Sequence, residues 1–305
     1  MPHSIEVILD ATKEFATVGD FFRFGISMLG DKKVFLGHGT DDLKDEVWWL
    51  IAGALHLPLD LAPHLLLNAR LTPMERHHLA DLIYQRAVHR IPTAYLLKQA
   101  YQGGQRFYVD ERVLIPRSPI AELIEKHFEP WLLAPESVTH ILDLCTGSGC
   151  LAILSALAFP DAEVDAIDLS DAALAVARQN VQEYALTERV RLIQSNVLDA
   201  LKTERYDIIL SNPPYVDAQD IKAMPAEFHH EPLMALAAGA DGLDIVRQIL
   251  QKAKAHLKPQ GLLIVEVGNS QPALEAAFPD LPFVWVDFER GGDGVFVLKA
   301  EDLPA

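Results

Sequence analysis

Three stretches of this sequence place ligand-binding side chains where an apolar run ends. "ILSNPPYVD" (209–217) closes such a run with Asn212, Pro213, Pro214 and Tyr215. Each proline fixes its own φ, restricts the residue before it and lacks an N–H, so the tetrad is a rigid turn short of donors. "ILDLCTGSGC" (141–150) passes Asp143 and then Gly147 and Gly149, which let a backbone come close to a ligand. The spacing is neither GxGxxG nor a Walker loop, because no GK[ST] follows. A helix N-terminus without that lysine suits the carboxylate of an amino-acid-like cofactor better than a triphosphate. "EVDAIDLS" (163–170) reaches Asp168, where an acid can accept both hydroxyls of a ribose. Asp143 would then receive the ammonium of that cofactor. "SNVLDA" (195–200), with Asn196 and Val197, would flank its adenine.

Elements that could hold these residues follow from periodicity. Apolar runs at 140–144, 164–168, 190–194, 206–210 and 261–267 alternate with helical segments such as "AALAVARQNVQEYA". That alternation predicts an α/β fold, a mostly parallel, doubly wound Rossmann-like sheet. Two further runs near 282–288 and 294–299 flank "RGGDG" and predict an antiparallel edge hairpin.

Before residue 100 the pattern is helical. In "TDDLKDEVWWLIAGALHLP" apolar residues recur at three- and four-residue spacing, with Thr40 or Asp41 as the expected cap. "TPMERHHLADLIYQRAVHR" offers Thr72 as N-cap, Pro73 at the first helical position and Glu75 completing a capping box. Between the halves, "RFYVDERVLIPR" alternates on both sides of Asp110-Glu111 and reads as a hairpin. The expected domains are a helical substrate-recognition domain over 1–100, a hairpin linker over 101–116 and a catalytic domain over 117–305.

Composition narrows the function classes. Half of the 305 residues are hydrophobic, enough to build two cores. No apolar stretch is long enough to span a membrane, and "MPHSIEVILDATKEF" is not a signal peptide. Two cysteines, Cys145 and Cys150, form no framework, so a reducing cytoplasm is expected. The net charge of −17 disfavours a phosphate backbone as the main partner and suits a basic one. One island, 61–106, carries six Lys or Arg against two acids, a local +4. It reads as a solvated helix face, or alternatively as a nucleic-acid contact. Adjacent histidines (His77-His78, His229-His230) fall on different faces without acidic or thiol partners, so no metal site is expected. Trp48 and Trp49 read as core, Cys145 as a small buried residue, and Gly103-Gly104 as a turn before the hairpin.

The run of glycine turn, acid at the next strand end and NPPY resembles the class I S-adenosylmethionine-dependent methyltransferases over about 140–215. With "VLIPRSPIAELIE" (113–125) ahead of it and "EPLMALAAGADGLDIVRQIL" (231–250) behind, nearly the whole chain is similar to the protein glutamine N5-methyltransferases. Arg117-Ser118-Pro119-Ile120-Ala121-Glu122 departs from the RPETE or RPDTE of the release-factor branch. That form, with "FLGHGTDDLKDE" (35–46), "VEVGNS" (265–270) and "FERGGDGVFVL" (288–298), resembles the branch that modifies the third large-subunit ribosomal protein.

The resemblance implies S-adenosylmethionine as cofactor, held by Asp143, Cys145, Thr146, Gly147, Ser148, Gly149, Asp168, Leu169, Asn196, Val197 and Asn212. It implies a basic ribosomal protein as substrate, free or in an assembly intermediate where the basic island would meet ribosomal RNA. Asn212 and the Pro213 carbonyl would accept the two N–H bonds of a glutamine amide, Pro214 would stiffen the loop, and Tyr215 would wall the substrate. Release-factor glutamine methylation, adenine N6-methylation of nucleic acid and a non-catalytic binding module are the alternatives.

Overall fold

The computed structural model describes residues 4–304, which divide into two compact units. One comprises the chain up to Ala100 together with Pro225–His230; the other holds Tyr101–Met224 and the rest from Glu231. The hairpin expected as a linker thus belongs to the second unit.

The first unit is built of α1 (Ile5–Thr12), α2 (Val18–Asp31), α3 (Leu43–Ala54), α4 (Pro73–Val88) and α5 (Thr93–Leu97). Its core is Phe21, Leu50, Ile51, Leu79 and Ile83, with Trp48 and Trp49 also buried. Gly25 of α2 lets α3 approach: a Cβ there would lie 2.7 Å from Val47 Cγ1. α4 starts as its sequence demands, with the Thr72 hydroxyl accepting from Glu75 N–H and Glu75 Oε2 accepting from Thr72 N–H at 2.7 Å. α3 is capped by Asp42 rather than Thr40 or Asp41, because Asp42 Oδ1 alone reaches Lys44 N–H and Asp45 N–H.

Charge is buried here too. Arg86 of α4 is 1% exposed and its Nε donates to Glu46 Oε1 of α3 at 2.6 Å. Thr93 Oγ1 donates to the same oxygen. Glu227, from the short Ala226–His230 turn, accepts from Phe35 N–H and from Arg90 Nη1, and lies 3.5 Å from Arg86 Nη1. Arg76 donates to the Phe15 carbonyl. Half of the basic island is therefore engaged within the unit, which a reading by composition does not show.

From the last residue of the first unit onward, β1 (Ala100–Gln102) and β2 (Gln105–Phe107) form a hairpin whose turn is Gly103-Gly104, both at positive φ. The turn expected at Asp110-Glu111 is displaced because Asp110 closes locally on Arg112 and Tyr108 instead of leaving the chain free to pair. Beyond it lie α6 (Ile120–Glu125), β3 (His140–Leu144), α7 (Cys150–Ala158), β4 (Glu163–Asp168), α8 (Asp171–Glu183), β5 (Val190–Gln194) and β6 (Tyr206–Ser211). They are followed by α9 (Asp220–Ala223), α10 (Asp244–His256), β7 (Leu257–Glu266), α11 (Gln271–Ala277), β8 (Val284–Trp285) and β9 (Val295–Lys299).

The seven strands β3 to β9 lie in the order β5-β4-β3-β6-β7-β9-β8, parallel from β5 through β7, with β9 antiparallel to both β7 and β8. Side chains alternate across it. Ile141, Val164, Ile208 and Ile264 meet α6, α7 and α8 on one face; Leu142, Ile209, Leu263 and Val265 meet α10 and α11 on the other. Chain direction reverses its progress at β3, which pairs with β4 on one side and β6 on the other, and a crevice opens beyond the carboxyl ends of strands at such a point. Register brings Leu144, Ile167 and Ser211 level there, so the loops that follow all three strands leave at one place.

Candidate active site

The loop after β3 is held from beneath. Asp143 Oδ2 accepts from Thr146 Oγ1 at 2.5 Å and from Ala152 N–H at 3.1 Å, tying the turn to the first turn of α7. Cys145, Gly147 and Gly149 take positive φ. At Gly149 the reason is packing, since a Cβ would come within 3.2 Å of Ala177 Cβ on α8. At Gly147 a Cβ would enter open space, so the glycine leaves room rather than avoiding protein. Asn180 of α8, fully buried, donates to the carbonyls of Ser148 and Tyr108 and accepts from Tyr108 N–H. Nothing in its local sequence marks it.

A cavity opens over this loop. Of the residues expected to bind a cofactor or substrate, Cys145, Gly147, Asp168, Leu169, Asn196, Val197, Asn212 and Pro214 line it. Asp168 accepts from Gly147 N–H at 2.9 Å and Ser170 N–H at 2.8 Å, one bond per oxygen, leaving further lone pairs open. Burial pushes its carboxyl above the usual carboxylate range. Leu169 is half exposed at the rim and Val197 is buried. Asn196 Nδ2 donates to Asp199 and Gln248, which fixes its amide at the edge. Among the described residues, no side chain or backbone group bonds the Asn212 amide. Burial pushes the Cys145 thiol well up and that of Cys150 to about 12, which favours the thiol form of both.

The other expected residues stand behind the wall. Asp143, Thr146, Ser148, Gly149, Pro213 and Tyr215 do not line the cavity. Asp143 is 1% exposed, and its Oδ1 has no hydrogen-bond partner among the described residues. Burial is the main cause raising its carboxyl to about 7, against the pull of Thr146 and Ala152. The side chain expected to meet an ammonium directly is thus the floor of the loop. Tyr215 turns away as well: its hydroxyl donates to Glu266 Oε1 at 3.0 Å, and its ring lies on Gly268.

Several lining residues escaped the sequence reading. Pro232, Met234 and Ala235 come from the turn after β6, Ile245 from α10, and Arg112 from the segment after the hairpin. Arg112 is the one cation among the lining residues. Its Nε and Nη2 grip both oxygens of Asp110, at 2.8 and 2.5 Å, and Tyr108 OH donates to the same carboxylate. This bidentate bond holds the Asp110 carboxyl below its usual range. The motif residues around the site also meet one another. Arg117 is bidentate on Glu231 at 2.6 and 2.8 Å, Ile115 N–H donates to that carboxylate, and Ser118 Oγ donates to Glu266 Oε2.

The arrangement fits a nucleoside joined to an amino acid. A carboxylate faces the cavity for a diol, Leu169 and Ile245 provide apolar walls, the space at Gly147 admits a polar tail, and Asp143 Oδ1 is a buried acceptor left open. The family profile described as "Methyltransferase small domain" matches residues 129–239, which contain β3 to β6 and the tetrad. A ribosomal protein uL3 glutamine methyltransferase of Neisseria meningitidis serogroup A is 50% identical over 295 residues, covering 96% of both chains. One from Bordetella pertussis is 48% identical over 292 residues, covering 95% of this chain and 97% of its own. Among solved structures, the hMettl16 catalytic domain in complex with MAT2A 3′UTR hairpin 6 aligns with a TM-score of 0.50 at 16% identity. It covers 75% of this chain and 81% of its own, a likeness of fold. With half of its residues identical over almost its full length, the chain belongs to the ribosomal protein uL3 glutamine methyltransferase family.

Proposed function

We propose that this enzyme transfers a methyl group from S-adenosylmethionine to the side-chain amide nitrogen of a glutamine in ribosomal protein uL3. The observation that carries the reading is the near-50% identity, end to end, to enzymes of that name. The open amide of Asn212 at the cavity wall is what the reaction needs locally.

S-adenosylmethionine supplies an electrophilic methyl on a sulfonium centre. Asp168 holds the ribose hydroxyls, Leu169, Asn196 and Val197 flank the adenine, and the turn through Gly147 leaves room for the amino-acid end. A glutamine amide nitrogen is a weak nucleophile because its lone pair is delocalised into the carbonyl. Orientation is therefore the main contribution open to the protein, up to about 7–11 kcal/mol in ideal cases. Asn212 Oδ1 accepts an amide N–H bond and aims the lone pair at the methyl. Positive charge develops on that nitrogen, which this acceptor stabilises. The nitrogen then releases one proton to solvent at the cavity mouth. Pro214 stiffens the wall.

A net charge of −17 draws a basic ribosomal protein by long-range attraction that weakens as salt rises. The test is a radiolabelled methyl-transfer assay offering free uL3, immature large subunits, release factor and adenine-containing DNA side by side. Label in uL3, free or in the subunit, is expected. Label mainly in release factor or in DNA overturns the reading.

A further inference from the structure

Tyr215, like Pro213, does not line the cavity, and its surroundings are unusually specific. Its hydroxyl donates to Glu266 Oε1 at 3.0 Å, while Glu266 Oε2 accepts from Ser118 Oγ at 2.5 Å. Its carbonyl accepts from Ser270 Oγ at 2.7 Å. Its ring covers Gly268 so closely that a Cβ there would come 2.7 Å from Tyr215 Cε2. The same crowding recurs around its carbonyl, where a Cβ on Gly242 would stand 2.3 Å from Tyr215 O. Three residues of one short segment at the end of β7, Glu266, Gly268 and Ser270, thus hold the hydroxyl, ring and carbonyl of a single side chain and its backbone.

Three residues back along the chain stands Asn212, whose amide makes no bond among the described residues. Pro213 and Pro214 between them fix φ and pass orientation along with little loss. Glu266 is 6% exposed, and Arg117 keeps positive charge near it. A carboxylate so buried is costly unless its oxygens are bonded, and both are.

We infer that Glu266, with Ser118 and Ser270, is a positioning residue of the methyl transfer: it holds Tyr215, and through Tyr215 it sets where the Asn212 amide stands. Tyr215 on this view is an anchor rather than a wall for the substrate. The inference rests on the transfer reaction proposed above for its kinetic readout, and on backbone mobility for a readout independent of it.

The test compares Glu266→Gln, Tyr215→Phe and the double variant in the full chain. Misplacing a reacting group by about 1 Å costs about a hundredfold in rate, so kcat should fall tenfold to about a hundredfold in each single variant. KM for uL3 and the dissociation constant for S-adenosylmethionine should stay within about twofold. The double variant should be no slower than the worse single one, since both break the same bond. Amide hydrogen exchange across 211–217 should quicken in all three. If Glu266→Gln does not fold, Ser118→Ala and Ser270→Ala remove the neighbouring bonds at the same anchor and are read in the same way. A raised KM in Tyr215→Phe with a silent Glu266→Gln, additive losses, or unchanged exchange across 211–217 each overturn the inference. Wild-type enzyme that labels no uL3 instead sinks the substrate reading and leaves the exchange result to judge the anchor.

Discussion

In the helical unit two buried carboxylates meet cations of the same unit: Glu46 takes bonds from Arg86 and Thr93, and Glu227 lies among Phe35 N–H, Arg90 and Arg86. At the cavity, Asp143 and Asp168 bond backbone N–H groups and a hydroxyl instead, with no ion pair among the described residues. Asp143 holds its loop with Oδ2 and leaves Oδ1 open, Asp168 gives one lone pair per oxygen to the backbone, and the Asn212 amide makes no bond among the described residues. A carboxylate paired with a buried cation of its own unit is part of the fold, whereas one that lines a cavity without such a partner is where a ligand can be recognised. Glu227 and Glu231, four residues apart, show the boundary: the first closes an ion cluster in the helical unit, the second grips Arg117 in the sheet unit.

The strongest way to break this contrast is Arg86→Met. It leaves Glu46 and Glu227 buried against an apolar side chain and should cost about 3–5 kcal/mol, read by urea unfolding. Cofactor affinity of the folded protein should be unchanged. A stability loss well under 1 kcal/mol would mean that the cluster contributes little to the fold.

Asn212→Ala is the opposite experiment. Stability should move by less than about 1 kcal/mol, because no protein bond is lost. Turnover should fall by about a hundred- to a thousandfold, the usual effect of deleting one group that stabilises developing charge. Calorimetry should find S-adenosylmethionine affinity nearly intact. Equal losses in affinity and turnover would assign the residue to the cofactor.

A pH series sharpens the comparison from the side of Asp143. Its folded-state pKa, about 7, lies above the ordinary value of 3.8, chiefly through burial. The folded chain therefore binds more protons between those limits, and its stability falls as pH rises from about 4 to about 7. Thr146 and Ala152 N–H face the carboxylate, and Asp168 adds repulsion, so the neighbours do not reverse the sign. Asp143→Asn cannot ionise and should lack that part of the decline, a difference on the order of a few kcal/mol. Parallel curves for the two proteins would show that Asp143 does not titrate there.

What could be read in advance follows the range of the interactions concerned. The strands from His140 to Ser211 and the Thr72–Glu75 capping box depend on local pattern, and they stand where periodicity places them. The side of the cavity built by Asp168, Leu169 and Asn212 was legible for the same reason, because each follows a strand end. The hairpin turn was misplaced because Asp110 looks like a turn residue until its bonds to Arg112 and Tyr108 are seen. Glu231, Glu266 and Asn180 reach partners 72 to 148 residues away, and no short window carries that information. The hydrogen bond of Tyr215 escaped the sequence for that reason: its partner is a glutamate at the end of another strand.

Asp168→Ala should show the smallest of these effects and the most selective one. The carboxylate carries Gly147 N–H and Ser170 N–H, so its loss frees two loop donors that water can reach at the cavity. Stability should change little. What disappears is the charged acceptor for a diol, and a charge-assisted hydrogen bond is worth about 1.5–3 kcal/mol, or roughly ten- to a hundredfold in affinity. Titration calorimetry with S-adenosylmethionine reads this directly. On the proposal that Asn212, and not Asp168, holds the substrate amide, turnover at saturating cofactor should recover to within a few fold of wild type. A turnover that stays low at saturation would show that Asp168 also shapes the reacting geometry, through Gly147, and the division between binding and aiming residues around this cavity would have to be redrawn.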